Sequence, residues 1–185
     1  ARLNRASIHM ASGNAQGALD DSNVLLELAP GLALAKLRRA EANMLLSNWD
    51  EAKADLEQIV TDAPHHHHAL TQLAACFISM ERPEKAEGPL NEALRLAPDH
   101  TAAWHQRGLL YLDWGREDAA LNDFEAAVRC DGNNLDARLH IAAIHHEAGR
   151  FVEASGAWKG VLAIEPEHAV ARRRREECDM ALATM

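Results

Sequence analysis

The side chains best suited to metal binding or proton transfer in this sequence are its 11 histidines, four of them consecutive in APHHHHAL (His65, His66, His67 and His68). Neutral imidazole is a good ligand for transition metals. A metal site also needs spacing that aims the rings at one point, as the i, i+4 pair of an HExxH helix does. No HExxH occurs. His145 and Glu147 form an H-x-E, but the P-C-x-x-C that would complete a zinc deaminase site is absent. The run lies at a joint and a helix start, where successive side chains splay. The expectation is a solvated turn, with no resident metal and no other cofactor.

Nucleophiles give the same result. Cys76, Cys130 and Cys178 are far apart and form no CxxC. They suggest neither a disulfide framework nor a thiolate zinc site, and are expected to be buried, unreactive thiols. The sequence contains no G-x-S-x-G, Walker loop, G-x-G-x-x-G or S-x-x-K. The basic run Arg172 to Arg175 is offset by Glu176, Glu177 and Asp179, as on a soluble helix face. No catalytic constellation emerges, and a non-enzymatic role is expected.

Composition narrows the partners. The 185 residues carry a formal net charge of −9, with a pI near 5.6. A nucleic-acid surface would need a basic face, and so would an anionic membrane surface. Neither partner is expected. No apolar run approaches the roughly 18 residues of a membrane span. Secretory signals and N-x-S/T acceptors are absent as well, so a cytoplasmic setting is expected. The chain opens on Ala1, already inside a helical pattern, as an excised piece would.

The elements that position these residues are repeats. APGLALAK, APHHHHAL, APDHTAAW and EPEHAVAR recur in register. Pro30, Pro64 and Pro98 are about 34 residues apart, Pro166 follows at twice that interval, and Gly132 takes the intervening place. The histidine run fills one of these joints without disturbing the period, so it belongs to the native sequence. Each unit reads as two helices. In the fourth, Trp104, Gly108 and Tyr111 share one face at helical spacing, Gly115 stops the helix, and Ala120, Phe124, Ala127 and Val128 line the inner stripe of the second. Gly13 and Gly149 mark equivalent turns, whereas Ser47 and Glu81 replace the glycine and predict strain. Pro89, six residues beyond Pro83, predicts a kinked helix. Eleven helices and no strands are expected.

A 34-residue helix–turn–helix unit with W-x2-L-G-x2-Y…A-x3-F…P resembles the tetratricopeptide repeat. Trp104, Gly108, Tyr111, Ala120 and Phe124 carry the resemblance in the fourth unit. Further support comes from Leu70, Ala74, Phe77, Ala86 and Pro98 in the third, and from Ala142, Ala154, Trp158 and Pro166 in the fifth. Arg107 and Arg39 depart from it at usually apolar places, and His145 holds the aromatic place. The resemblance implies an all-α, right-handed α-solenoid of five repeats (1–32, 33–66, 67–100, 101–134 and 135–168). A capping helix would follow at 169–185, touching the array through Ala171, Cys178, Ala181 and Leu182.

It also implies a concave groove lined by first helices. A row about 100° from the core stripe comprises Leu3, Ser7 and Met10; Leu37, Glu41 and Met44; Thr71, Ala75 and Ile78; His105, Leu109 and Leu112; and Leu139, Ala143 and His146. Glu41 alone among them carries a formal charge. Arg38 and Glu147, beside the row, would set a ligand's direction. Two uses of this row compete: packing adjacent first helices, or receiving a partner. Cochaperone members of the family hold acidic C-terminal tails with Lys, Arg and Asn, where Leu3, Ser7, Leu37 and Glu41 stand here. The resemblance therefore points to a scaffold for an apolar or amphipathic protein or peptide segment. An arm of a larger enzyme or chaperone, and self-association into a homo-oligomer, are the alternatives.

Overall fold

The computed structural model describes residues 1–184. Among these, eleven α-helices and a 3₁₀ turn form the regular structure, with no strand. The chain divides into two compact units, Ala1–Pro98 and Asp99–Met185. The first contains α1 (Arg2–Ala11), α2 (Ala15–Leu28), α3 (Ala33–Leu45), α4 (Trp49–Asp62), α5 (His67–Ser79) and α6 (Glu87–Leu96). The second contains α7 (Thr101–Asp113), α8 (Glu117–Cys130), α9 (Leu135–Glu147), α10 (Phe151–Ile164) and α11 (Ala169–Ala183). Within each unit every helix packs on the next in sequence, and α1 also meets α3 as α9 meets α11. Such nearest-neighbour stacking of hairpins is the all-α solenoid arrangement.

The turns inside the hairpins follow the residues available. Gly115 adopts a φ of +67°, which an L residue reaches only at a cost, and Gly13 and Gly149 do the same. Ser47 and Glu81 are forced to +61° and +57° at the equivalent turns. Gly108 serves a different purpose: a Cβ there would stand 2.8 Å from the Phe124 ring, so its absence lets α7 and α8 touch.

Between hairpins, α5, α9 and α11 are capped by side chains. The Nδ1 of His66 accepts from the Ala69 N–H at 3.1 Å, and that of His168 accepts from the Ala171 N–H at 3.2 Å. Asn134 caps α9 in the same way, through the Ala137 N–H at 2.9 Å. The histidine joint is thus a helix start, where an imidazole supplies the acceptor that Asn or Asp usually supplies.

Small residues and a few large ones build the cores. In the first unit Leu37, Leu56, Ile59, Leu73 and Cys76 form one cluster. In the second, Phe124, Ala127, Ala137 and Ile144 form one, and Trp158, Val161, Ala171 and Cys178 another. The terminal helix α11 docks through Ala171 and Cys178, while Ala181 is half-buried and Leu182 exposed.

Two expectations need correction. Pro89 kinks nothing. The segment breaks into a 3₁₀ turn (Pro83–Lys85) and α6, which starts at Glu87. Pro89 thereby falls in the first turn, where a backbone N–H has no helical acceptor to lose. Cys130 is exposed at the end of α8 rather than buried. Arg39 and Arg107, which stand at usually apolar places, are each paired with a buried aspartate. Arg39 donates from Nε and Nη2 to both oxygens of Asp55, each at 2.7 Å. Arg107 does the same to Asp123, at 2.7 and 2.8 Å. Arg5 makes an equivalent fork to Asp21. In all three the partners are 16 residues apart and join the first helix of a hairpin to its second. The third and fifth hairpins hold Leu73 with Pro89 and Ile141 with Ala157 at these places. Bidentate geometry offsets the desolvation of the carboxylates, which are almost fully buried.

Candidate functional site

In the first unit the first helices α1, α3 and α5 bring together part of the expected row. Met10, Glu41, Met44, Leu45 and Gln72 line a cavity of about 270 Å³. Glu41 sits at its polar edge. The Arg38 guanidinium donates to one Glu41 oxygen at 2.6 Å, and the His68 Nε2 lies 3.4 Å from the other. Burial pushes the Glu41 carboxyl up, but the hydrogen bonds from His68 and Arg38 outweigh it and leave its pKa below the usual range. Glu41 is therefore a charged, oriented acceptor in a wall of two methionines, a leucine and the polar Gln72.

The remaining members of the row separate. Leu3, Ser7 and Ala75 are half-buried and Ile78 is exposed. The Ser7 hydroxyl is turned back onto the Leu3 carbonyl at 3.2 Å. Leu37 and Thr71 are corrections. Leu37 is 6% exposed within the core cluster, and Thr71 is buried with its hydroxyl on the His67 carbonyl. Leu37 packs in one cluster with residues of α4 and α5, so packing consumes it.

In the second unit packing claims more of the row. His105 lies 5.6 Å from both the Phe124 and the His140 rings, and His140 stacks on Phe124 at 4.7 Å. Burial lowers the pKa of both imidazoles, and for His140 the neighbouring His105 adds to the effect. His146 is held between α9 and α11, with Nδ1 3.2 Å from the Cys178 sulfur and Nε2 3.3 Å from Arg174. Leu112, Leu139 and Ala143 pack against the core clusters. Leu109, at 38% exposure, and Glu147 remain open.

Two lining residues lie outside the row expected from the sequence, Leu45 and Gln72, and so does His68, which reaches Glu41 from outside the lining. His68 lies three residues before Thr71, on the same helical row, and that spacing is the available signal. Trp114 is half-buried beneath the Arg116 guanidinium at 5.0 Å.

Among the described residues no three His, Cys, Asp or Glu side chains converge as a metal ion requires. Burial pushes the Cys76 thiol up to about 11, far from the thiolate a nucleophile needs. No described helix is long and apolar enough to cross a membrane.

Comparison with known proteins bears on the fold. Two models described as tetratricopeptide repeat match, over residues 44–107 and 101–134. The peptidyl-prolyl cis-trans isomerase FKBP4 of Mus musculus is 32% identical over 74 residues. That stretch is 40% of this chain and 16% of the isomerase, so the chain matches a small part of its curated relative. Among solved structures, TTC0263, a thermophilic TPR protein of Thermus thermophilus, superposes with a TM-score of 0.75 at 22% identity, covering 97% of each chain. YrrB, described as a TPR protein with an unusual peptide-binding site, gives a TM-score of 0.71 at 22% identity, covering 95% of this chain and 90% of its own. With its repeating joints, glycine turns and stacked hairpins, the chain belongs to the tetratricopeptide repeat family.

Proposed function

We propose that this chain is a non-catalytic scaffold that holds an apolar or amphipathic segment of another protein against its first helices. The observation that carries this reading is the cavity of about 270 Å³ at Met10, Glu41, Met44, Leu45 and Gln72. Methionine is unbranched and adapts to the shape of an entering side chain. Glu41 offers a fixed acceptor for a donor on the same segment. In the second unit Leu109 offers a further exposed apolar contact. The peptide-binding description of YrrB supports recognition by arrays of this kind. The match to a small part of an isomerase fits a second form of the same reading, in which the array is the interaction arm of a larger protein.

Panning a display library of helical segments against the chain tests the proposal. The selected segments should carry large apolar residues at i, i+3 or i+4 spacing. Leu45→Asp, at an exposed position, should weaken them at least tenfold while the circular dichroism spectrum stays unchanged. Binding that ignores both Leu45→Asp and Leu109→Asp would place recognition elsewhere.

A further inference from the structure

The second hairpin lacks a ring that its siblings possess. Phe77, Tyr111 and His145 occupy one place on α5, α7 and α9, and the corresponding residue of α3 is Asn43. In the fourth hairpin the Tyr111 ring lies 5.6 Å from the Arg107 guanidinium and 5.9 Å from that of Arg116. The second hairpin keeps the first of these cations as Arg39, in the same fork to an aspartate. Among the described residues no aromatic ring lies over Arg39. A cavity of about 440 Å³ opens at this place instead, lined by Leu19, Asn23, Arg39, Asn43, Asn48 and Glu51 among others.

The polar groups of this cavity are arranged for a ligand with one hydroxyl. The Asn48 amide donates to the Asn43 Oδ1 at 3.3 Å, which leaves the Asn48 carbonyl as an acceptor. Glu51 adds a carboxylate at an exposed position of the lining. Arg39 donates to Asn23 at 3.3 Å as well as to Asp55, so its edges are occupied while its face carries no ring. A guanidinium held by its edges attracts an aromatic face. Leucine would fill the space without that attraction, and would leave the amides and the carboxylate unmatched.

We propose that the cleft between α2 and α4 binds a tyrosine side chain presented by a partner protein. Its phenol ring stands in for the missing ring over Arg39, and its hydroxyl is bonded by the Asn48 and Glu51 edge. The carboxylates of Glu51 and Asp55 favour the unmodified phenol over a phosphorylated one. The cleft shares no residue with the first-helix cavity, so either site can fail without affecting the other.

The test follows the side-chain amide resonances of Asn43 and Asn48 during titration with N-acetyltyrosinamide. Saturable shifts at about millimolar concentration are expected, as suits a single side chain. N-acetylphenylalaninamide should bind more weakly and N-acetylleucinamide at least tenfold more weakly than the tyrosine probe. Asn43→Tyr, which restores the ring found in the fourth hairpin, should raise the thermal midpoint and remove the response to the probe. Equal shifts with the leucine probe, or no saturation with the tyrosine probe, would overturn the proposal on the unaltered protein. Full response in a folded Asn43→Tyr variant would do so independently.

Discussion

The second and fourth hairpins are close copies that differ in how they fill one space. Both join their helices with an Arg–Asp fork. In the fourth, two rings cover the fork: the Arg107 guanidinium lies 4.9 Å from Trp104 and 5.6 Å from Tyr111, and the arginine side chain is 17% exposed. In the second, Asn43 replaces the tyrosine, a cavity opens, and the Arg39 side chain is 32% exposed. The fork can therefore persist without the ring, but then it faces solvent and is available to others. An ion pair in a repeat protein is a fixed part, and the packing around it decides whether it acts as glue or as a site.

The largest test of this contrast removes the carboxylates. Asp123→Ala should cost about 3–5 kcal/mol in urea denaturation, because Arg107 is left charged and enclosed. Asp55→Ala should cost less, since water reaches Arg39. Replacing both partners, Arg107→Ile with Asp123→Ala, copies the fifth hairpin and should recover much of the loss. Equal costs for the two aspartates would erase the distinction between the hairpins.

An intermediate effect separates the two units by pH. Burial keeps His105 and His140 below the ordinary histidine range, against an opposing pull from Asp136. The unfolded chain takes up protons first as pH falls below about 6.5. Stability from the neutral rings is therefore complete above that pH and is lost as pH falls toward the depressed folded values. Replacing His140 by Phe should flatten the stability profile of the protein between about pH 7.5 and 5.5. An unchanged slope would move the acid sensitivity to other histidines, with the half-buried His145, also lowered by burial, as the next candidate.

The smallest effect concerns the turns. Ser47→Gly and Glu81→Gly should each stabilise the first unit by about 0.5 kcal/mol, the relief of a left-handed turn less the added freedom of the unfolded glycine. The second unit already has Gly115 and Gly149 at these places. Thermal unfolding of each variant measures the difference.

Much of this architecture is legible in the sequence because it is local. The period, the helix count and the glycine turns each depend on a few adjacent residues. The forks are harder to read, although an aspartate follows each of Arg5, Arg39 and Arg107 at one fixed distance. Taken singly, these arginines look like faults in an apolar stripe. Leu37 departs from expectation for another reason. A first helix has neighbours on more than one side, and helical angle alone does not say how far each neighbour wraps around it. Pro89 departs because its sister repeats suggest one helix start, while the chain itself shifts that start to suit the proline.

The spacing of the forks bears on how the molecule is made. Each fastens two helices whose bonded residues are 16 positions apart, so the loop that closes is short and cheap to form. A hairpin can latch as soon as its second helix leaves the ribosome, before the next module has been translated. Synthesis can then proceed as a series of small, local closures, with little apolar surface waiting for distant partners.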